Sequence, residues 1–178
     1  MKHLLIIALI CGAAQMFHAC SSDEKASEAI ELVTVGSRLP SFNVVLNDDT
    51  HVTPMTLRGH RAVIVFFNTG CLDCRAYLPK LNEFYEQIRS STTSNLSDVR
   101  VVAVSRAQKN DAVARYWNEY HYTVPYSAQT DRTVYNLFAK IGIPRTYIVN
   151  ERGIVTATFD PDHAPNPLQL QEALRKAK

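Results

Sequence analysis

The sequence predicts an α/β domain: a central mixed β-sheet flanked by helices on both faces, with a short hairpin ahead of it. Three observations carry this. A continuous apolar run, 62–67, and a second Val-rich strand, 100–105, carry the β-branched residues of strands buried on both faces. Each is followed by a segment with helical periodicity. Near the end, two strand-like runs flank Glu151-Arg152-Gly153, and an amphipathic stretch closes the chain.

Taken in order, the first element is a targeting segment. Lys2 supplies a positive start, 4–14 an apolar core, and Cys20 follows the small residue Ala19. That core is too short to span a bilayer, which takes about 20 apolar residues. The pattern resembles a bacterial lipoprotein signal, 1–19, in which Cys20 becomes the lipid-bearing N-terminus; Phe17 stands where Leu is usual. An ordinary secretory signal and an uncleaved anchor are the other readings, and all three put the domain outside the cytoplasm, facing the periplasm or the cell surface. Residues 20–34 then read as lipidated cysteine plus tether, since 21–27 (Ser-Ser-Asp-Glu-Lys-Ala-Ser) is small, polar and charged. The acidic pair in it resembles export signals of some surface lipoproteins, although a solvated linker accounts for it as well.

The folded domain is expected over 35–178. Runs 42–46 and 51–53 flank Asn47-Asp48-Asp49, a turn sequence, and form the hairpin. A short turn beginning at Pro54 ends at Gly59. After the strand 62–67, a helix is expected to residue 88, with Leu78, Leu81, Phe84, Tyr85 and Ile88 on one face and a kink at Pro79. A Ser/Thr-rich loop, 90–97, leads to the strand 100–105 and a helix over 111–120 with the one tryptophan, Trp117. A short strand at 126–128 follows, then a helix to 138–140 capped by Thr130 or Asp131. The hairpin 145–150 and 154–159 and a helix over 167–177 complete the domain. There is no internal repeat and no second domain.

Composition bounds the function. An apolar fraction of 46% is that of a globular protein, and a net charge of +2 with interleaved signs gives no footprint for nucleic acid. Four cysteines are present, but Cys11 leaves with the signal and Cys20 carries lipid, so Cys71 and Cys74 pair with each other or with a partner's thiol. They sit where a strand gives way to a helix. The helix N-terminus offers unpaired N–H groups that favour a thiolate at Cys71, while Cys74, one turn in, lies deeper and resolves a mixed disulfide. The chemistry needs no cofactor. A zinc site would need two more ligands, and His51, His60, His121 and His163 are scattered without ligand spacing. A structural disulfide closing so short a loop would stabilise little. Asp73 places a negative charge beside Cys71, which points to a reducing couple, unless its carboxylate faces water and is screened. Ile143-Pro144, after glycine and before a strand, suits either a cis bond or an ordinary trans proline.

Together these residues resemble the thioredoxin-like TlpA/ResA group of membrane-tethered extracytoplasmic thiol-disulfide oxidoreductases. The resemblance covers 35–178 and rests on Val35-Gly36 with Pro40 and Phe42, Leu57 with Gly59, Phe66-Phe67, Cys71 and Cys74-Arg75, Leu78-Pro79, and Gly142-Ile143-Pro144. It implies a thioredoxin fold with an N-terminal hairpin, a redox disulfide Cys71–Cys74, a cis Pro144 packed against it, and client backbone pairing at Ile143. It also implies disulfide- or thiol-bearing client proteins and a membrane thiol carrier as electron donor.

Four positions depart from the group. Gly70 replaces the Trp before the first cysteine, and Tyr77 replaces an acid three residues after the second. Val65 stands where thioredoxin keeps a buried Asp, and Arg145 where Thr is common. No obvious base remains for Cys74, and Arg145 is either a cation beside the disulfide or a solvated side chain. The rival readings are a non-catalytic thiol-binding or chaperone module on the same fold and a peroxiredoxin-like peroxidase. The latter calls for Thr three residues before its reactive cysteine, where this chain has Asn68.

Overall fold

The computed structural model describes residues 31–90, 96 and 98–178; the expected signal and Cys20 lie outside the described residues. The element order is β1 (Val44–Val45), β2 (His51–Val52), β3 (Ala62–Phe67), α1 (Leu72–Ser90), β4 (Arg100–Ser105), α2 (Asn110–Glu119) and β5 (Tyr126–Ser127). A 3-10 turn (Tyr135–Leu137), β6 (Arg145–Val149), β7 (Val155–Phe159), a second 3-10 turn (Pro161–His163) and α3 (Pro167–Lys176) complete it. The main sheet runs β5-β4-β3-β6-β7, with β3, β4 and β5 parallel and β6 antiparallel to both of its neighbours, β3 and β7. All six residues of β3 are buried, as its unbroken apolar run requires of the central strand.

Alternation along β3 divides the core. Phe67 meets Trp117 of α2, with ring centroids 5.0 Å apart. On that same face Val65 is in register with Thr146, which hydrogen-bonds Tyr77 of α1. Helix α3 packs against α1. The opposite face carries Phe66 and Tyr147, covered by Tyr135 and Phe138 of the 3-10 region, with Phe42 beyond. The hairpin β1–β2 is shorter than its sequence runs and is pinned to β5, where Asn47 N–H donates to Tyr126 O at 2.8 Å.

Several expectations change. Helix α1 begins three residues earlier than the periodicity suggests, taking in Cys74, and is continuous through Pro79. Pro79 is on an exposed side of the helix, where water can satisfy the carbonyl it frees. No α-helix forms over 130–140. Asp131 instead accepts from Thr133 N–H in an Asx turn, and the Phe138 carbonyl is taken by the N–H groups of Leu32 and Val33. The region forms a 3-10 turn over Tyr135–Leu137 instead, and its end is tied to the segment 31–33. That pairing also moves the domain's beginning: residues 31–34, expected as tether, lie on the fold, with Val33 buried. Among the described residues, no helix is long and apolar enough to cross a membrane.

Candidate active site

Between β3 and α1 the chain must turn without a regular ladder, and Asn68 organises that turn. Its Oδ1 accepts from Gly70 N–H at 2.8 Å, its carbonyl accepts from Cys71 N–H at 3.0 Å, and its Nδ2 donates to Arg106 O at 2.9 Å. A Cβ at Gly70 would sit 3.2 Å from Asn68 Oδ1, so the turn is tight enough to favour glycine. Gln108, in the loop after β4, grips the next residue twice. Its Oε1 accepts from Thr69 N–H at 2.8 Å, and its Nε2 donates to Thr69 Oγ1 at 2.7 Å. Ala107, at φ 54, takes the left-handed conformation as the chain enters this grip.

Cys71 then stands at the mouth of α1, its carbonyl accepting the first helical bond from Arg75 N–H at 3.0 Å. Its sulfur is therefore near the positive end of the helix. The thiol is partly exposed and donates to Ile143 O at 3.6 Å. Cys74 is fully buried. Loss of water pushes its thiol well above the ordinary range, and the neighbouring Cys71 adds to this; the Asn68 backbone and the Arg106 charge oppose it.

The facing loop is fastened as firmly. Ile143-Pro144 is cis. Tyr135 OH donates to Gly142 O at 2.8 Å, and Arg145 Nε donates to Ile141 O at 3.0 Å. Gly142 has φ 84, and a Cβ there would lie 3.0 Å from Pro161 Cγ. Two cysteines and a cis-proline loop thus meet, one sulfur open and one closed. Among the described residues, no group of three or more His, Cys, Asp and Glu could hold a metal.

Residues 35–158, more than half of the chain, match the AhpC/TSA family. The chain belongs to that family. Curated relatives include the thiol-disulfide oxidoreductase ResA of Bacillus subtilis, 23% identical over 87% of this chain and 83% of that protein. The thiol:disulfide interchange protein DsbE of Pseudomonas fluorescens biotype C is 25% identical over 68% of this chain and 64% of its own length. Among solved structures, a thio-disulfide isomerase from Thermus thermophilus is 28% identical, covers 82% of this chain and 97% of its own, and superposes with a TM-score of 0.63. The fold is that of thioredoxin with an added N-terminal hairpin.

Within this AhpC/TSA domain the departing residues have definite places. Val65 is buried on the face where Tyr77 OH and Thr146 Oγ1 lie 3.0 Å apart. Burial pushes the Tyr77 phenol up despite that bond, so it is no base at neutral pH. Asp73 is exposed, and water screens its charge. Arg145 takes neither role expected for it. It is 5% exposed, ion-paired with Glu31, and Glu31 also accepts from Tyr147 OH. Sequence reasoning passed over Gln108, Glu31, Tyr135 and Arg106, and met Asn68 only as the residue standing where a peroxidase would have Thr. The one signal in the sequence is Asn68-Thr69-Gly70, a polar break between strand and helix.

Proposed function

We propose that the protein is a protein-disulfide reductase working by thiol-disulfide exchange. The observation that carries this is the pairing of a partly exposed Cys71, its sulfur at the Ile143 carbonyl, with a buried Cys74 behind it. The Cys71 thiolate attacks a client disulfide, forming a mixed disulfide and releasing one client sulfur, which takes up a proton. Cys74 then loses its proton to solvent and attacks the Cys71 sulfur, releasing the second client thiol. The client gains two electrons and two protons, and Cys71–Cys74 becomes a disulfide. A membrane thiol carrier returns it to the dithiol. Ile143 offers backbone for strand-like pairing with the client.

The proposed direction is reduction of the client disulfide. Equilibrium with glutathione should give a potential well below the roughly −120 mV of a strong oxidant; a value near that figure would refute the direction. The proposed setting is a domain held at a membrane surface by lipid on Cys20 after removal of 1–19. Cys20→Ala should release it from the membrane fraction.

The decisive test has two arms. Purified protein should accelerate insulin reduction by a small thiol, and Cys74→Ala should accumulate clients disulfide-linked to Cys71. Consumption of peroxide without insulin reduction would favour a peroxidase instead.

A further inference from the structure

Tyr135 lies beneath the cis-proline loop, fully buried, its hydroxyl holding Gly142 O. Two guanidiniums lie over its ring, Arg106 at 4.9 Å and Arg132 at 5.4 Å from the centroid. Arg132 Nη2 donates to Lys140 O at 2.6 Å. The Arg106 backbone is stitched to the active-site strand and turn: its N–H donates to Phe67 O at 2.7 Å, and its carbonyl accepts from Asn68 at 2.9 Å. Two like charges bordering one ring gain from a shared counter-charge.

The usual remedy, a carboxylate between them, is missing. Among the described residues, the ion pairs use Arg61, Arg145, His163, Arg175 and Lys176, and neither Arg106 nor Arg132. The nearby acids are otherwise placed. Asp131 Oδ1 accepts from Thr133 N–H at 2.8 Å, Glu31 is committed to Arg145, and Asp73 is in solvent at the start of α1. Tyr135, beneath both guanidiniums, holds Gly142 O, and Arg132 holds Lys140 O, so the two charges border the loop that carries Ile143.

We propose that Arg106 and Arg132 form a cationic subsite that selects client segments carrying a carboxylate close to their reactive cysteine. This rests on the exchange reading of Cys71 and names the class of substrate for it. A client paired at Ile143 projects its neighbouring side chains to either side, and an Asp or Glu there supplies the counter-charge the two arginines lack.

The test uses the full-length reduced protein and three disulfide-bridged peptides differing only in the residues flanking the cysteine: Glu, Gln or Lys. In wild type the Glu peptide should exceed the Gln peptide in kcat/KM by about five- to tenfold at low salt, the range two exposed ion pairs supply. The Lys peptide should be slowest, and the preference should shrink as salt is raised. Comparing peptides within one variant cancels any change in basal chemistry, which matters because Arg106 acts on Cys74. Arg132→Gln, at an exposed position, should cut the preference roughly to its square root, and R106Q/R132Q should abolish it. Equal rates for all three peptides in wild type, or a preference that survives in the double variant, would overturn the subsite while leaving exchange intact. No exchange with any peptide would overturn both.

Discussion

Cys74 stores its proton because it is buried, and this has a consequence for stability. Its folded-state pKa is raised, chiefly by desolvation, so the folded dithiol protein holds a proton that the unfolded chain releases near pH 8.5. Stability from this group is complete below that pH and falls as pH rises, by up to about 1.4 kcal/mol per unit. Urea unfolding of the reduced protein between pH 8 and 10 should show the decline, and Cys74→Ala should show a shallower one. Resolution of the mixed disulfide should accelerate over the same interval. Gln108 is a positioning residue for the same centre, holding Thr69 by two hydrogen bonds two residues before Cys71. Gln108→Ala should cost about 1–2 kcal/mol in urea unfolding and slow Cys71 exchange with client several-fold. Gln108→Glu, which keeps the acceptor for Thr69 N–H, should recover most of both.

Helix α1 both presents the cysteines and braces the far side of the sheet. Asn82, 8% exposed, turns its Oδ1 to Thr123 N–H at 2.8 Å and Val124 N–H at 3.0 Å, and its Nδ2 donates to Glu86 at 2.9 Å. The segment so held leads into β5, and Trp117 Nε1 donates to Val124 O at 2.7 Å from the other side. Asn82→Ala orphans two backbone donors and should lower the unfolding free energy by about 2–4 kcal/mol, while Cys71 still reacts with small disulfides. Elements such as β3, β4 and α1 were legible in the sequence because each satisfies its own backbone or carries its own periodicity. The cysteine pair was legible for the same reason, its i, i+3 spacing being local. The helix expected near 130–140 gave way to a 3-10 turn whose end, Phe138 O, pairs with residues 32 and 33 across about a hundred residues, a pairing that no local pattern records. Gln108 and Asn82 were silent likewise: each acts on backbone about 40 residues away.

The domain as a whole is closed by its N-terminal segment. Residues 36–39 run beside the start of β7, with Gly36 N–H donating to Val155 O at 2.8 Å and Leu39 N–H to Gly153 O at 3.0 Å. Further upstream, Glu31 reaches across to Arg145 and Tyr147 of β6. Arg145 follows Pro144 directly and also holds Ile141 O, so one guanidinium links the segment nearest the proposed membrane anchor to the loop facing Cys71. The energetics of such a pair are asymmetric. An arginine only 5% exposed cannot be left alone cheaply, whereas replacing both partners by apolar groups removes the unpaired charge. Glu31→Ala should therefore cost about 3 kcal/mol in urea unfolding, toward the low end for a broken buried pair because the Glu31 side chain is itself 24% exposed. The double variant E31A/R145M should regain most of that loss. If the segment also steadies the active-site loop, Glu31→Ala slows exchange with protein clients more than with small disulfides, and E31A/R145M does not recover it because Met cannot hold Ile141 O. Recovery of stability and of client exchange together in the double variant would show that the clamp serves folding alone.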